Sequence, residues 1–220
     1  MKTLRPVLIL ALGLAAATPV AVQAGCEILL YPLARAFGSP SESELVLCRA
    51  AFARLQATFP TARLQVAPVW RPIMRDAAVL EPCWRPDLAA RLATAIGGPD
   101  GRVSVLSVAP AVAPMPLPHN QLRYLWQRAR AYAAWVQAAP PPSADYLLCV
   151  ELLGQDDFTY AVQVCLLDAR GQIAYCRLYN SHQFGRPAID CEEAVALIVR
   201  RLRADLAREP GQIFHPYGIG

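Results

Sequence analysis

Asp145–His182 reads DYLLCVELLGQDDFTYAVQVCLLDARGQIAYCRLYNSH, and this stretch decides the fold. Asp145–Leu153 (DYLLCVELL) is apolar at both alternating sets of positions, as a central strand covered on both faces should be. Gly154–Asp157 turn the chain. Phe158–Leu167 and Gln172–His182 follow as two strands joined by Asp168-Ala169-Arg170-Gly171. Gly171 suits the left-handed position of a short hairpin loop with a bulge. That register sets Val162 opposite Leu178, Val164 opposite Cys176 and Leu166 opposite Ala174, all fit for a core. The other face then carries Thr159, Gln163, Tyr175, Arg177, Tyr179 and Ser181. Cys165 and Cys176 fall on opposite faces in this register and do not bridge.

Downstream, Asp190 and Glu193 have capping-box spacing. Ala194, Leu197, Ile198, Leu202 and Leu206 then give an amphipathic final helix, followed by a loosely held tail, 209–220. Upstream, Glu27–Leu33 (EILLYPL) reads as a short strand. Ser41 and Glu44 cap a helix whose apolar face is Leu45, Cys48, Phe52 and Leu55. Leu64–Trp70 is a second strand with Pro68 near its end, and Arg71–Arg85 is irregular. Pro86 opens a helix through Leu88, Leu92 and Ile96 that stops at Gly97-Gly98. Val103–Val108 is a third strand, and the proline-rich Ala109–Pro118 is an extended connector. Asn120 caps a long helix with Leu122, Leu125, Trp126, Ala129, Ala133 and Val136 on one side. The expected class is α/β, with α and β mixed. It is a single domain, 25–208, of two or three layers around a mixed sheet of about five to six strands. A C-terminal β-hairpin and a C-terminal helix complete it.

The first 24 residues read as a signal peptide. Lys2 and Arg5 form a positive start, Val7–Ala17 an apolar run too short to span a membrane, and Val22-Gln23-Ala24 a cleavage site after Ala24. The expected localisation is exported, in the periplasm or secreted. Lys2 is the only lysine, so the processed chain has none. That excludes a Schiff-base lysine and a phosphate-loop lysine. Loss of Lys2 and Arg5 takes the formal charge from +4 to +2, too little to suggest nucleic acid as a partner. Ala24-Gly25-Cys26 resembles the end of a bacterial lipobox, with Gln23 where leucine is usual. Lipidation of Cys26 would anchor the chain to a membrane. Cys26, Cys48, Cys83, Cys149, Cys165, Cys176 and Cys191 show no CxxC spacing and no histidine at ligand spacing, so no metal and no cofactor are expected.

The order of elements resembles the α/β module of bacterial envelope accessory proteins. These are the curli-secretion lipoprotein, the penicillin-binding-protein activator lipoproteins and the N-terminal domain of the Tol-Pal β-propeller protein. Glu27–Leu33, Ala144-Asp145-Tyr146-Leu147-Leu148 and Val164–Gln172 (VCLLDARGQ) carry the resemblance. The absence of a glycine at Cys149-Val150 and the long, proline-rich 71–118 depart from it. The resemblance implies a non-catalytic adaptor that binds an envelope protein or assembly. Tyr175, Arg177 and Tyr179, with Gln163, are the expected contact surface, since Tyr and Arg are enriched where partners dock.

Two other readings stand beside it. A small exported hydrolase would use Cys191 at a helix N-terminus with His182 upstream, against the opposing charge of Glu192 and Glu193. His119 and His215 lie in loops, and Asp156, Asp157 and Asp168 read as turn residues. A cell-wall glycan binder would use the helix Arg123–Tyr132, which mixes arginines with aromatics.

Overall fold

The computed structural model describes residues 39–75, 78–81, 84–113, 115, 121–139, 144–155 and 158–214. The leader with Ala24 and Cys26, the expected strand Glu27–Leu33, Cys83, His119, Asn120, Asp156, Asp157 and His215 lie outside the described residues. The chain divides into two units, Met1–Ser39 and Pro40–Gly220. The second contains, in order, α1 (Glu42–Thr58), β1 (Leu64–Val66), β2 (Val69–Trp70), β3 (Ile73–Arg75), β4 (Ala78–Glu81), β5 (Trp84–Arg85), α2 (Pro86–Gly97) and β6 (Val103–Val105). Then come α3 (Gln121–Ala138), β7 (Tyr146–Gln155), β8 (Phe158–Asp168), β9 (Ile173–Asn180), α4 (Ser181–Phe184), α5 (Cys191–Asp205) and α6 (Pro210–Ile213).

The class is α/β with a mixed sheet. β7 is its axis. β1, β2 and β3 pair with it in parallel, and β8 pairs with it antiparallel. β6 extends the sheet beyond β1, and β9 beyond β8. Among the described residues the sheet counts nine strands, where about five to six were expected. Leu64–Trp70 splits at Ala67-Pro68, where proline cannot donate to a ladder. The stretch expected to be irregular holds β3, β4 and β5. Pro72 sits between β2 and β3.

The helices start where local chemistry places them. Ser41 and Glu44 form a reciprocal capping box on α1, and Asp190 and Glu193 form one on α5. Leu45, Cys48, Phe52 and Leu55 are buried as the spacing predicts. Pro86 occupies the first turn of α2. α3 covers one face of β8 and β9, while α5 lies on the other side of β8 with α2 beside it. α1 runs along β9. The tail departs from expectation: Ile213 and Phe214 are buried, and the Phe214 ring meets Phe52 and Trp126.

The hairpin register is corrected by one residue. Gly171 takes φ +76° as expected, and Leu167 lies opposite Ile173. An irregularity between Leu166 and Leu167 then leaves Ala174 as the extra residue. Beyond it Leu166 faces Tyr175, Cys165 faces Cys176, Val164 faces Arg177 and Val162 faces Tyr179. Both faces are buried along Ala161–Leu167 of β8 and Ile173–Tyr179 of β9. Hydrophobic alternation therefore carries no information about this register.

A second irregularity falls between Leu153 and Gly154, opposite Ala161 and Thr159. Gly154 belongs to β7 rather than to a turn. A Cβ at Gly154 would overlap the carbonyl oxygen of Phe158 and stand 3.1 Å from Thr159 Cα. Backbone cannot rotate away as a side chain can. Gly154→Ala is expected to cost about 3 kcal/mol, read as a lower urea midpoint with an unchanged slope. A midpoint equal to that of the parent chain would refute the close approach.

Candidate functional site

Two polar clusters are built into the layers, one on each side of the sheet. The first centres on Glu151, the lone carboxylate in the apolar run of β7, fully buried. Tyr124, Arg128 and Tyr132 stand four residues apart on α3, so one stripe of the helix carries all three. Arg128 donates to Glu151 Oε1 from Nε at 2.6 Å, and its Nη2 lies 2.5 Å from the same oxygen as an ion pair. The Tyr132 hydroxyl donates to the same oxygen at 2.7 Å, and the Tyr124 hydroxyl to Oε2 at 2.7 Å. Arg128 also donates to the Ala113 carbonyl at 2.6 Å, tying the connector to the helix. Its guanidinium lies over the Trp70 and Tyr132 rings. Burial, then the Glu151 charge, pushes the Tyr124 and Tyr132 hydroxyls far up, so both stay protonated donors. Burial opposes the Arg128 charge, but Glu151 more than offsets it and raises the guanidinium further. The sequence reading missed this cluster. Its signal was a single glutamate in DYLLCVELL and a Tyr-Arg-Tyr stripe at four-residue spacing.

The second cluster gathers three of the residues expected to form a contact surface. The Tyr175 and Tyr179 hydroxyls lie 2.8 and 3.2 Å from Asp205 Oδ2 and beside each other, so their two protons are shared among these three contacts. Arg177 Nε lies 3.4 Å from the same oxygen, and Arg208 Nη1 3.3 Å from Oδ1. Phe52 stacks on the Tyr175 ring. Burial, followed by the neighbouring Tyr179 and Asp205, raises the Tyr175 hydroxyl well above its ordinary value. Tyr175, Arg177 and Tyr179 are thus together, but buried rather than exposed. Gln163 is buried too, on the α3 side, where its side-chain nitrogen donates to the Leu125 carbonyl at 3.2 Å. The expected contact surface is corrected: helices cover both faces of the hairpin, so its polar residues serve the interior.

The hydrolase constellation is not assembled among the described residues. His182 does not end a strand. It lies exposed in α4, a single turn capped by Asn180. Cys191 is half-buried at the first turn of α5. No hydrogen bond joins them among the described residues. Glu192 pairs with Arg91, and Glu193 with Arg186. A hollow of about 280 Å³ beside α5 is lined by Phe184, Arg186, Ile189, Glu193, Leu197 and Arg200, without either candidate.

The arginine-aromatic helix also turns inward. Tyr124, Trp126, Arg128 and Tyr132 are buried, and Arg130 forms a paired contact with Glu44 of α1 at 2.9 and 2.8 Å. Two of the large apolar side chains that face outward lie together on one strand. Phe158 and Tyr160 of β8 are 58% and 47% exposed, either side of a buried Thr159 that bridges to Ile189.

No protein-family model matches the chain, and no curated protein matches it. Among solved structures it is similar to the hypothetical protein CT253 from Chlamydia trachomatis. The likeness has 13% identity over 65% of this chain and 97% of that one, with a TM-score of 0.34.

Proposed function

We propose that this chain is an exported, non-catalytic envelope module that holds a protein partner through Phe158 and Tyr160. The observation that carries the reading is that exposed aromatic pair. Two large rings two residues apart on one strand stand out in water while Thr159 between them is anchored by a backbone bridge. Aromatic side chains held on a rigid strand lose little entropy on docking and serve as interface anchors. The positive start, apolar run and Val22-Gln23-Ala24 site support export. Lipidation at Cys26 would place the module at a membrane surface.

Site-specific photocrosslinking in intact cells tests it. A photoreactive residue at position 158 should give a discrete higher-mass adduct. The same residue at the exposed Ala204 of α5 should not. With the partner so identified, Phe158→Ala combined with Tyr160→Ala should weaken its capture about a hundredfold, with the fold intact. No adduct from position 158, or equal adducts from both positions, would overturn the reading.

A further inference from the structure

A row of thiols crosses the face of the sheet turned to α3. Cys149, Cys165 and Cys176 stand directly opposite one another on β7, β8 and β9. Cys48 of α1 is close enough that charge on Cys165 would raise its thiol, and its own charge would raise Cys176. All four are free and buried.

Register alone gives Cys165 two partners, and backbone direction separates them. In an antiparallel sheet the N–H and C=O of a residue both point to one neighbouring strand. The residue forms a hydrogen-bonded pair on that side and a non-hydrogen-bonded pair on the other. Asp168 N donates to the Gln172 carbonyl at 3.0 Å, so its backbone is turned toward β9. Alternation along β8 then turns Leu166 and Val164 toward β9, and Leu167 and Cys165 toward β7. The irregularity inserts Ala174 on β9 and leaves the alternation of β8 intact. Cys165 and Cys176 are therefore the non-hydrogen-bonded pair, the arrangement with Cα atoms about 4.5 Å apart and side chains closest. Cys149 and Cys165 take the wider spacing of about 5.5 Å. A disulfide accepts Cα separations of about 4.4–6.8 Å, so spacing alone admits both and the closer side chains decide. The neighbouring Cys165 thiol, after burial, pushes the Cys176 thiol up.

We propose that Cys165 and Cys176 are a disulfide-forming pair that staples β8 to the edge strand β9. The oxidant is an external disulfide, such as oxidised glutathione or a protein dithiol oxidase. One chain thiolate attacks it, forming a mixed disulfide and releasing one thiol. The second chain thiol then displaces the other, so the chain loses two hydrogens and the oxidant leaves as two thiols. Cys165 is fully buried and burial holds the Cys176 thiol far up, so the exchange runs while the chain folds.

The test is refolding of the full chain in a glutathione redox buffer, followed by alkylation and peptide mapping. The expected result is one peptide linking Cys165 to Cys176, lighter by two hydrogens, with Cys48 and Cys149 alkylated once the chain is unfolded. The oxidised form should melt about 5 °C above the reduced form, and Cys176→Val should abolish both the link and that difference. A link from Cys165 to Cys149 or Cys48, or no link to Cys165, would overturn the proposal. The peptide map of the parent chain decides the matter even where Cys176→Val does not fold. The refolding needs no cell, so its outcome is independent of export and of any partner.

Discussion

Glu151→Ala is expected to destabilise the domain by about 3–5 kcal/mol, a large share of the stability of an ordinary domain. The residue receives every charged and hydroxyl donor of its cluster. Without it the Arg128 guanidinium stays buried with no counter-charge in the cluster, and the Tyr124 and Tyr132 hydroxyls lose their acceptor. Each unmet donor adds its own desolvation cost. The paired exchange Glu151→Leu with Arg128→Met removes both charges and keeps apolar volume. It is expected to recover most of the loss, because a buried ion pair is costly chiefly when half of it is missing. Urea unfolding of the single and double variants measures this. If Glu151→Ala stayed within about 1 kcal/mol of the parent chain, the cluster would not be the buried, mutually dependent unit described.

Asp205→Ala is expected to cost about 2–4 kcal/mol on the opposite side of the sheet. Asp205 accepts from Tyr175 and Tyr179 and lies against Arg177 and Arg208. It is the last residue of α5, so it ties the end of that helix to β9. Tyr179→Phe removes one donor at 3.2 Å and should cost only about 1 kcal/mol. Equal losses from both variants would mean that ring packing, not the carboxylate, holds the two layers together. Neither variant alters Phe158 or Tyr160, so capture of a partner by the folded fraction should be unchanged.

The helices were legible because their signals are local. Ser41 with Glu44, Asp190 with Glu193, Pro86 and Gly97-Gly98 each act within one turn, and every one marks an observed helix end. The doubly apolar run after Asp145 likewise marked the axis of the sheet. The hairpin register was not legible. With the paired stretches Ala161–Leu167 and Ile173–Tyr179 covered on both faces, a slip of one residue exchanges one buried set for another, and Ala174 carries no turn signal. The candidate contact residues failed for the same cause. Tyr175, Arg177 and Tyr179 alternate with apolar neighbours as an exposed face would. The two tyrosines bond instead to Asp205, which also pairs with Arg177 and lies 26 residues or more away in sequence.

Sequence patterning was sufficient for the class of the fold, the caps of α1 and α5, the central strand and the inward stripes of α1, α2 and α5. These depend on contacts between residues a few positions apart, or on apolar periodicity that has one physical solution. Tertiary contact settled which polar side chains are interior. Glu151 finds three partners on α3, and the tyrosines of β9 find theirs at the end of α5, across separations for which no local spacing rule exists. It also brought Cys165 opposite Cys176, through one bulged residue. A buried charge or a thiol pair is specified by what lies across the sheet, and that is fixed only when distant segments close over it.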